Sequence, residues 1–178
     1  MGTEGSTVLE PLQGLPVLDA TTVSSSASCA LPPRYEAVKS AREFTRCTLQ
    51  RWDLSEAFDS VTLVVSELVT NALRHGLPPV RGTLLEPPVR LHLMRWSARL
   101  VCAVRDPSAI APQPPAPPES AGGEDPFAGF AAESGRGLHL VNSFSDAWGW
   151  HPLTGGSPTP GKVVWALFRL GTHEPRTP

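Results

Sequence analysis

The sequence predicts an α+β fold: a two-layer sandwich with helices packed on one face of a mixed or antiparallel sheet. Three observations predict it. Two amphipathic segments at helical period occupy the stretch from about Arg34 to Arg74. Two apolar runs of strand length follow directly, from Val89 to Trp96 and from Leu100 to Arg105. After a proline-rich break, a short helical segment precedes two more strand-like runs. Helices first and strands grouped after them point to one helical layer on one sheet.

The elements follow in order. Residues 1–30 are rich in Thr, Ser and Gly and read as a flexible N-terminal segment, with an edge strand expected near Leu15–Val23. Leu31-Pro32-Pro33 is a break, and the domain is expected to span 31–171, with 172–178 a flexible tail. The first helix carries Tyr35, Val38, Ala41, Thr45, Thr48 and Trp52 at three- and four-residue steps. Asp53-Leu54-Ser55 ends it, and Ser55 is the expected N-cap of the second helix, with Glu56 and Asp59 in its first turn. Phe58, Val61, Val65, Leu68 and Ala72 form that helix's apolar stripe. Gly76 is a C-cap candidate, and Pro78-Pro79 stops the helix beyond it.

Val89, Leu91 and Leu93 alternate with Arg90, His92 and Met94, the pattern of a strand with one face toward the core. The break at Ser97-Ala98-Arg99 joins this strand to Leu100–Arg105 as an antiparallel hairpin. Leu138–Phe144 reads as a helix, Asp146–His151 as a short strand and Lys162–Leu170 as the last strand.

Composition narrows the function. At 40% hydrophobic, with five Trp and six Phe in 178 residues, the chain can bury a core. A net charge of −2 with no block of like charge argues against direct nucleic-acid binding. No apolar window is long enough to cross a membrane, and the N-terminus lacks the pattern of a secretory signal. Cys29, Cys47 and Cys102 form no CxxC pair, which fits three free thiols in a reducing cytoplasm. Of the 20 prolines, seven lie between Pro107 and Pro126, where neither a helix interior nor a central strand can form.

The second helix also carries polar chemistry. Glu67, Asn71 and His75 stand four residues apart and near one face, beside the apolar stripe. A carboxylate there can accept a proton from an attacking hydroxyl. An amide oxygen suits Mg2+, which prefers oxygen ligands and keeps several waters. A solvated helix face explains the same residues without any function. Asp106 ends a strand, where its carboxylate can accept hydrogen bonds from an exocyclic amine or close an Asx-type turn ahead of Pro107. Ser134-Gly135-Arg136-Gly137-Leu138 precedes a helix, and its glycines allow backbone N–H groups to approach a phosphate. An ordinary turn explains that segment equally. Lys162, after Gly161, opens the last strand, where it can lie near a phosphate, although a solvated strand end is the expected place.

Together these motifs resemble those of the GHKL, or histidine-kinase-like, ATPase superfamily. The run from Glu67 through Asn71 and His75 to Gly76 resembles its N box. Asp106 stands where its G1 aspartate would, and Gly135-Arg136-Gly137-Leu138 resembles its G2 box. The branch most like this chain is that of anti-sigma-factor serine/threonine kinases of the SpoIIAB and RsbW type. The resemblance spans roughly residues 30–170 and implies a Bergerat-type ATP-binding fold in a cytoplasmic bacterial protein.

The resemblance implies roles residue by residue. Asn71 would coordinate Mg2+ bridging the ATP phosphates, and Glu67 would be the general base. Asp106 would bind the adenine amino group, with Ser108 beside it. Gly135, Gly137 and Leu138 would contribute the phosphate loop, and Arg136 would face the γ-phosphate. His75 would cap or orient. Segment 111–134 would be the ATP lid, stiffened by its prolines. The partners implied are an anti-sigma-factor antagonist of the STAS fold and a sigma factor, and relatives suggest a homodimer. The G1 box of the family usually reads D-x-G-x-G, whereas this chain has Asp106-Pro-Ser-Ala-Ile110, without either glycine. Two functions therefore stand side by side: a protein kinase acting on the antagonist, and a non-catalytic regulator that binds nucleotide or sequesters a partner.

Overall fold

The computed structural model describes residues 23–77, 88–112, 137–153 and 160–171. Strand β1 (Ser25–Leu31) leads into helix α1 (Glu36–Arg51). A 3-10 turn (Ser55–Ala57), helix α2 (Phe58–Asn71) and a π turn (Ala72–Gly76) follow without interruption. Then come β2 (Val89–Trp96), β3 (Arg99–Asp106), a helical segment at residues 137–144 (α3), β4 (Ala147–Pro152) and β5 (Lys162–Arg169).

The five strands form one sheet in the order β1-β2-β3-β5-β4, and every neighbouring pair is antiparallel. The hairpin between β2 and β3 turns at Ser97-Ala98, with Trp96 opposite Arg99. On one face Leu91 and Leu93 of β2, Leu100, Cys102 and Val104 of β3, and Val164, Ala166 and Phe168 of β5 meet the helices. Those helices contribute Ala41 and Leu49 from α1, Val61, Val65 and Leu68 from α2, and Leu138 and Val141 from α3. All three helices thus lie on one side of the sheet, the expected two-layer architecture.

The end of α1 shows how sequence sets a boundary. The Asp53 N–H donates to the Gln50 carbonyl at 3.2 Å and the Leu54 N–H to the Leu49 carbonyl at 2.9 Å. Asp53 has φ 58°, the left-handed conformation this motif needs. Aspartate tolerates it better than most residues because its short side chain can bond locally. Leu54 then packs on the core, and Arg95 of β2 donates a hydrogen bond to the Trp52 carbonyl. The turn is therefore fixed to the sheet.

Several expectations need correction. Residues 25–30, expected in the flexible segment, belong to an edge strand at Ser25–Leu31, while the strand expected near Leu15–Val23 lies, up to residue 22, outside the described residues. The Ser, Ala and Cys side chains of residues 25–30 give a weak hydrophobic signal, and pairing with β2 supplies the hydrogen bonds that hold them. Tyr35 is 81% exposed and outside the helical core stripe, because α1 begins only after it. Ser55 does not cap α2 with its side chain: the chain enters the helix through the 3-10 turn. The α-helical register ends at Asn71 rather than at Arg74.

The sheet's second face is not wet. Met94, Trp96, Val101, Ala103, Val163 and Trp165 form a separate buried apolar cluster there, and His92 is buried on the same side. Gly149 of β4 lies flat on the Trp165 ring, where a Cβ would come within 2.6 Å of ring carbon Cζ2. The expected lid at 111–134 falls, from residue 113 on, outside the described residues, as do Pro78 and Pro79.

Candidate functional site

The candidate residues converge where the end of α2 crosses the ends of β3 and β5. Asp106 is the last residue of β3, and in register it faces Lys162, the first residue of β5. The π turn brings Gly76 against the same carboxylate. A Cβ at Gly76 would stand 2.5 Å from Asp106 Cγ and 2.8 Å from Oδ1, so only glycine lets the helix end approach so closely. From the other side Gly161 presses on the Asp106 carbonyl oxygen, again leaving no room for a Cβ.

Asp106 is 2% exposed and Lys162 5%. Lys162 Nζ donates to Asp106 Oδ1 at 2.9 Å and to the Ser108 carbonyl oxygen at 3.3 Å. The Ser108 N–H donates to the same Oδ1 at 2.9 Å, closing the Asx-type turn anticipated before Pro107. Ser108 Oγ accepts from the Ile110 N–H at 3.2 Å. Burial pushes the Asp106 carboxyl above its ordinary value, against the opposing pull of Lys162 and of the Ser108 N–H.

One turn before Asn71, Glu67 is half-buried, and burial pushes its carboxyl up while Arg74 draws it partly back. Gly137 of α3 lies against it: a Cβ there would sit 2.9 Å from Glu67 Oε2. At this residue α3 meets the carboxylate of α2. Leu138 contributes its side chain to the core, so only its backbone faces this junction. Asn71 is half-buried in the last turn of α2, and the π turn that follows leaves His75 exposed. Gly135 and Arg136 lie outside the described residues.

The structure thus brings Glu67 to Gly137, and Asp106 to Ser108. It also gives Lys162, Gly76 and Gly161 places that the sequence reading did not. Lys162 is not at a solvated strand end: it is buried and ion-paired with Asp106. Gly76 and Gly161 press against Asp106 from either side. The signal for Lys162 was available in the register, since two antiparallel neighbours of equal length put the first residue of one opposite the last residue of the other.

The arrangement can do two things. A carboxylate whose charge is disfavoured by burial is a better proton acceptor than an exposed one. With no side chain at Gly137, α3 brings its backbone next to that carboxylate. Among the described residues no group of three His, Cys, Asp or Glu is placed to hold a metal. No helix among them is long and apolar enough to cross a membrane.

Comparison with known proteins adds to this geometry. The signature of the histidine kinase-like ATPase domain matches residues 31–166. Among solved structures, the chain is similar to the crystal structure of the RsbU and RsbW domains of Rv1364c from Mycobacterium tuberculosis, with a TM-score of 0.53 and 14% identity. The match covers 83% of this chain and 33% of that one, so the chain spans about a third of the length of that structure. The likeness is one of fold. No curated protein matches the sequence.

Proposed function

The chain belongs to the histidine kinase-like ATPase domain family, and from that premise we propose that it binds ATP and transfers the γ-phosphoryl group to a serine or threonine hydroxyl of a protein partner. The observation that carries this reading is the contact between Glu67 and Gly137. It supports a proton acceptor next to the glycine-containing segment that the phosphate loop would use.

The roles follow from position. The partner's hydroxyl oxygen attacks the γ-phosphorus, its proton passes to Glu67, and the bond to the bridging oxygen breaks to release ADP. Backbone N–H groups from Gly137 and Leu138 hold phosphate oxygens, joined by those of Gly135 and by the Arg136 side chain. Asp106, with Ser108, is the group assigned to recognition of the base. Asn71 is the residue fitted to Mg2+: it is half-buried, one turn from Glu67, and offers a neutral oxygen to an ion that takes most of its ligands from phosphates and water. When bound, that ion offsets phosphate charge. Positioning and electrostatics supply most of the catalysis in such transfers.

The partner class is an anti-sigma-factor antagonist of the STAS fold, with a sigma factor as the regulated target. The likeness to a structure that contains an RsbW domain supports this class. Transfer of radiolabelled phosphate from ATP to STAS-domain antagonists, with wild type and with Glu67→Ala, tests the reading. Labelling lost in the variant is expected. Equal labelling by both proteins would remove Glu67 from the mechanism.

A second reading is favoured by the Asp106–Lys162 pair and by Ser108 and Ile110 in place of the two glycines. In it the domain regulates by holding its partner, with nucleotide bound weakly and not turned over. Complex formation with a STAS-domain partner that proceeds equally with and without ATP, and yields no phosphoprotein, selects this reading.

A further inference from the structure

We infer that Lys162 determines nucleotide recognition in this pocket by holding Asp106 Oδ1, the atom that the amino group of an adenine base would use. The inference rests on the nucleotide-binding reading above, and it adds a residue which that reading does not contain.

Oδ1 already receives two donors, Lys162 Nζ at 2.9 Å and the Ser108 N–H at 2.9 Å. A carboxylate oxygen has about two lone-pair sites, so a third donor finds none open on this atom. Access is closed as well. The Asp106 side chain is 2% exposed, and the Gly76 backbone stands directly against it. A base amino group reaches Oδ1 only by displacing Lys162.

That displacement is unfavourable on electrostatic grounds. The existing contact is charge-assisted, and such bonds are roughly twice as strong as neutral ones. An adenine amino group is a neutral donor and cannot replace an ammonium at equal strength. An amino group directed at Oδ2 instead meets a carboxylate whose charge Lys162 has already offset. Lys162 is itself fixed, because its Nζ also donates to the Ser108 carbonyl and the residue lies in register opposite Asp106. The pair therefore weakens adenine binding until the lysine contact is broken, and the strength of that contact sets the affinity.

The test is a titration of the full chain with a fluorescent ATP analogue in the presence of Mg2+. Wild type, Lys162→Thr, Lys162→Gln and Lys162→Arg are compared, with thermal unfolding of each as a check on folding. Lys162→Thr should bind at least tenfold more tightly than wild type. Lys162→Gln, which keeps a neutral donor, should gain less, and Lys162→Arg should gain nothing. Should Lys162→Thr fail to fold, Lys162→Gln is the readout, and tighter binding supports the inference. Saturable binding that is equal or weaker in these variants overturns the role of Lys162 and leaves the nucleotide reading intact. No saturable binding by any of the four proteins overturns both.

Discussion

Gly76 touches Asp106 through backbone alone: a Cβ at Gly76 would lie 2.5 Å from the Asp106 carboxyl carbon. The end of a helix and the end of a strand meet there with only the Asp106 side chain between them. Gly76→Ala must push one of them away. The aspartate cannot yield, since Lys162 and Ser108 hold it. The variant should lose about 1–3 kcal/mol of stability, the range for overpacking a filled site. Thermal or urea unfolding of the variant beside wild type measures this, and an unchanged midpoint would contradict the close approach.

Gly137 presents the opposite case. A Cβ there would meet Glu67 Oε2 at 2.9 Å, the far end of a flexible side chain that can rotate aside. Stability of Gly137→Ala should stay within about 1 kcal/mol of wild type, helped by alanine's better helix propensity. Phosphoryl transfer should fall at least tenfold, because the carboxylate has moved from its position. Comparing unfolding midpoints with transfer rates separates the two effects. A proportionate loss in both would indicate a merely structural glycine.

The Glu67 carboxyl lies above its ordinary value because burial disfavours the charge. A raised value means that the proton stays on to higher pH. A base must be deprotonated, so transfer should decline as pH falls through the raised Glu67 value, at higher pH than an exposed glutamate would show. Rate measurements from pH 8 downward locate this limb. Glu67→Gln should abolish transfer at every pH. A residual rate in that variant with the same acid limb would assign the limb to another group.

His92 titrates in the other direction. Burial beneath the sheet's second face, with Arg90 and Arg105 nearby, lowers it from 6.5 to about 4. Its folded value is depressed, so the unfolded chain takes up the proton first as pH falls. Stability from this residue is whole above pH 6.5 and is lost as pH falls from 6.5 toward about 4. The ceiling is about 3 kcal/mol, at roughly 1.4 kcal/mol for each pH unit between the two values. Urea unfolding at pH 7.5 and pH 5, with wild type and His92→Gln, isolates it: the drop should be smaller in the variant.

The legible parts of this protein are those whose physics is local. The α1 and α2 stripes and the β2–β3 hairpin could be read because burial on one face writes a period into the chain. Glu67 and Asn71 could be singled out by their four-residue spacing beside the α2 stripe, and Asp106 by its place at a strand end. What escaped depends on contacts between distant segments. Ser25–Leu31 has little hydrophobic content and is a strand because β2 offers it partners. Met94 and His92 occupy the alternate positions of β2, which a single strand's pattern assigns to water, yet the second face is buried. Lys162 resembles any lysine at a strand start until register sets it against Asp106.

The pairing of β3 with β5 has a kinetic meaning. β2 and β3 meet across a two-residue turn, so that hairpin closes with little loss of chain entropy. Asp106 and Lys162 are 56 residues apart, and the intervening chain includes the proline-dense stretch. Long-range antiparallel pairing of this kind forms late, after local elements have condensed. The Asp106 carboxylate therefore acquires its ammonium only when β5 docks. A nascent chain halted before β5 would hold α1, α2 and the hairpin but not the Asp106–Lys162 pair, which makes that pair a report that β5 has docked.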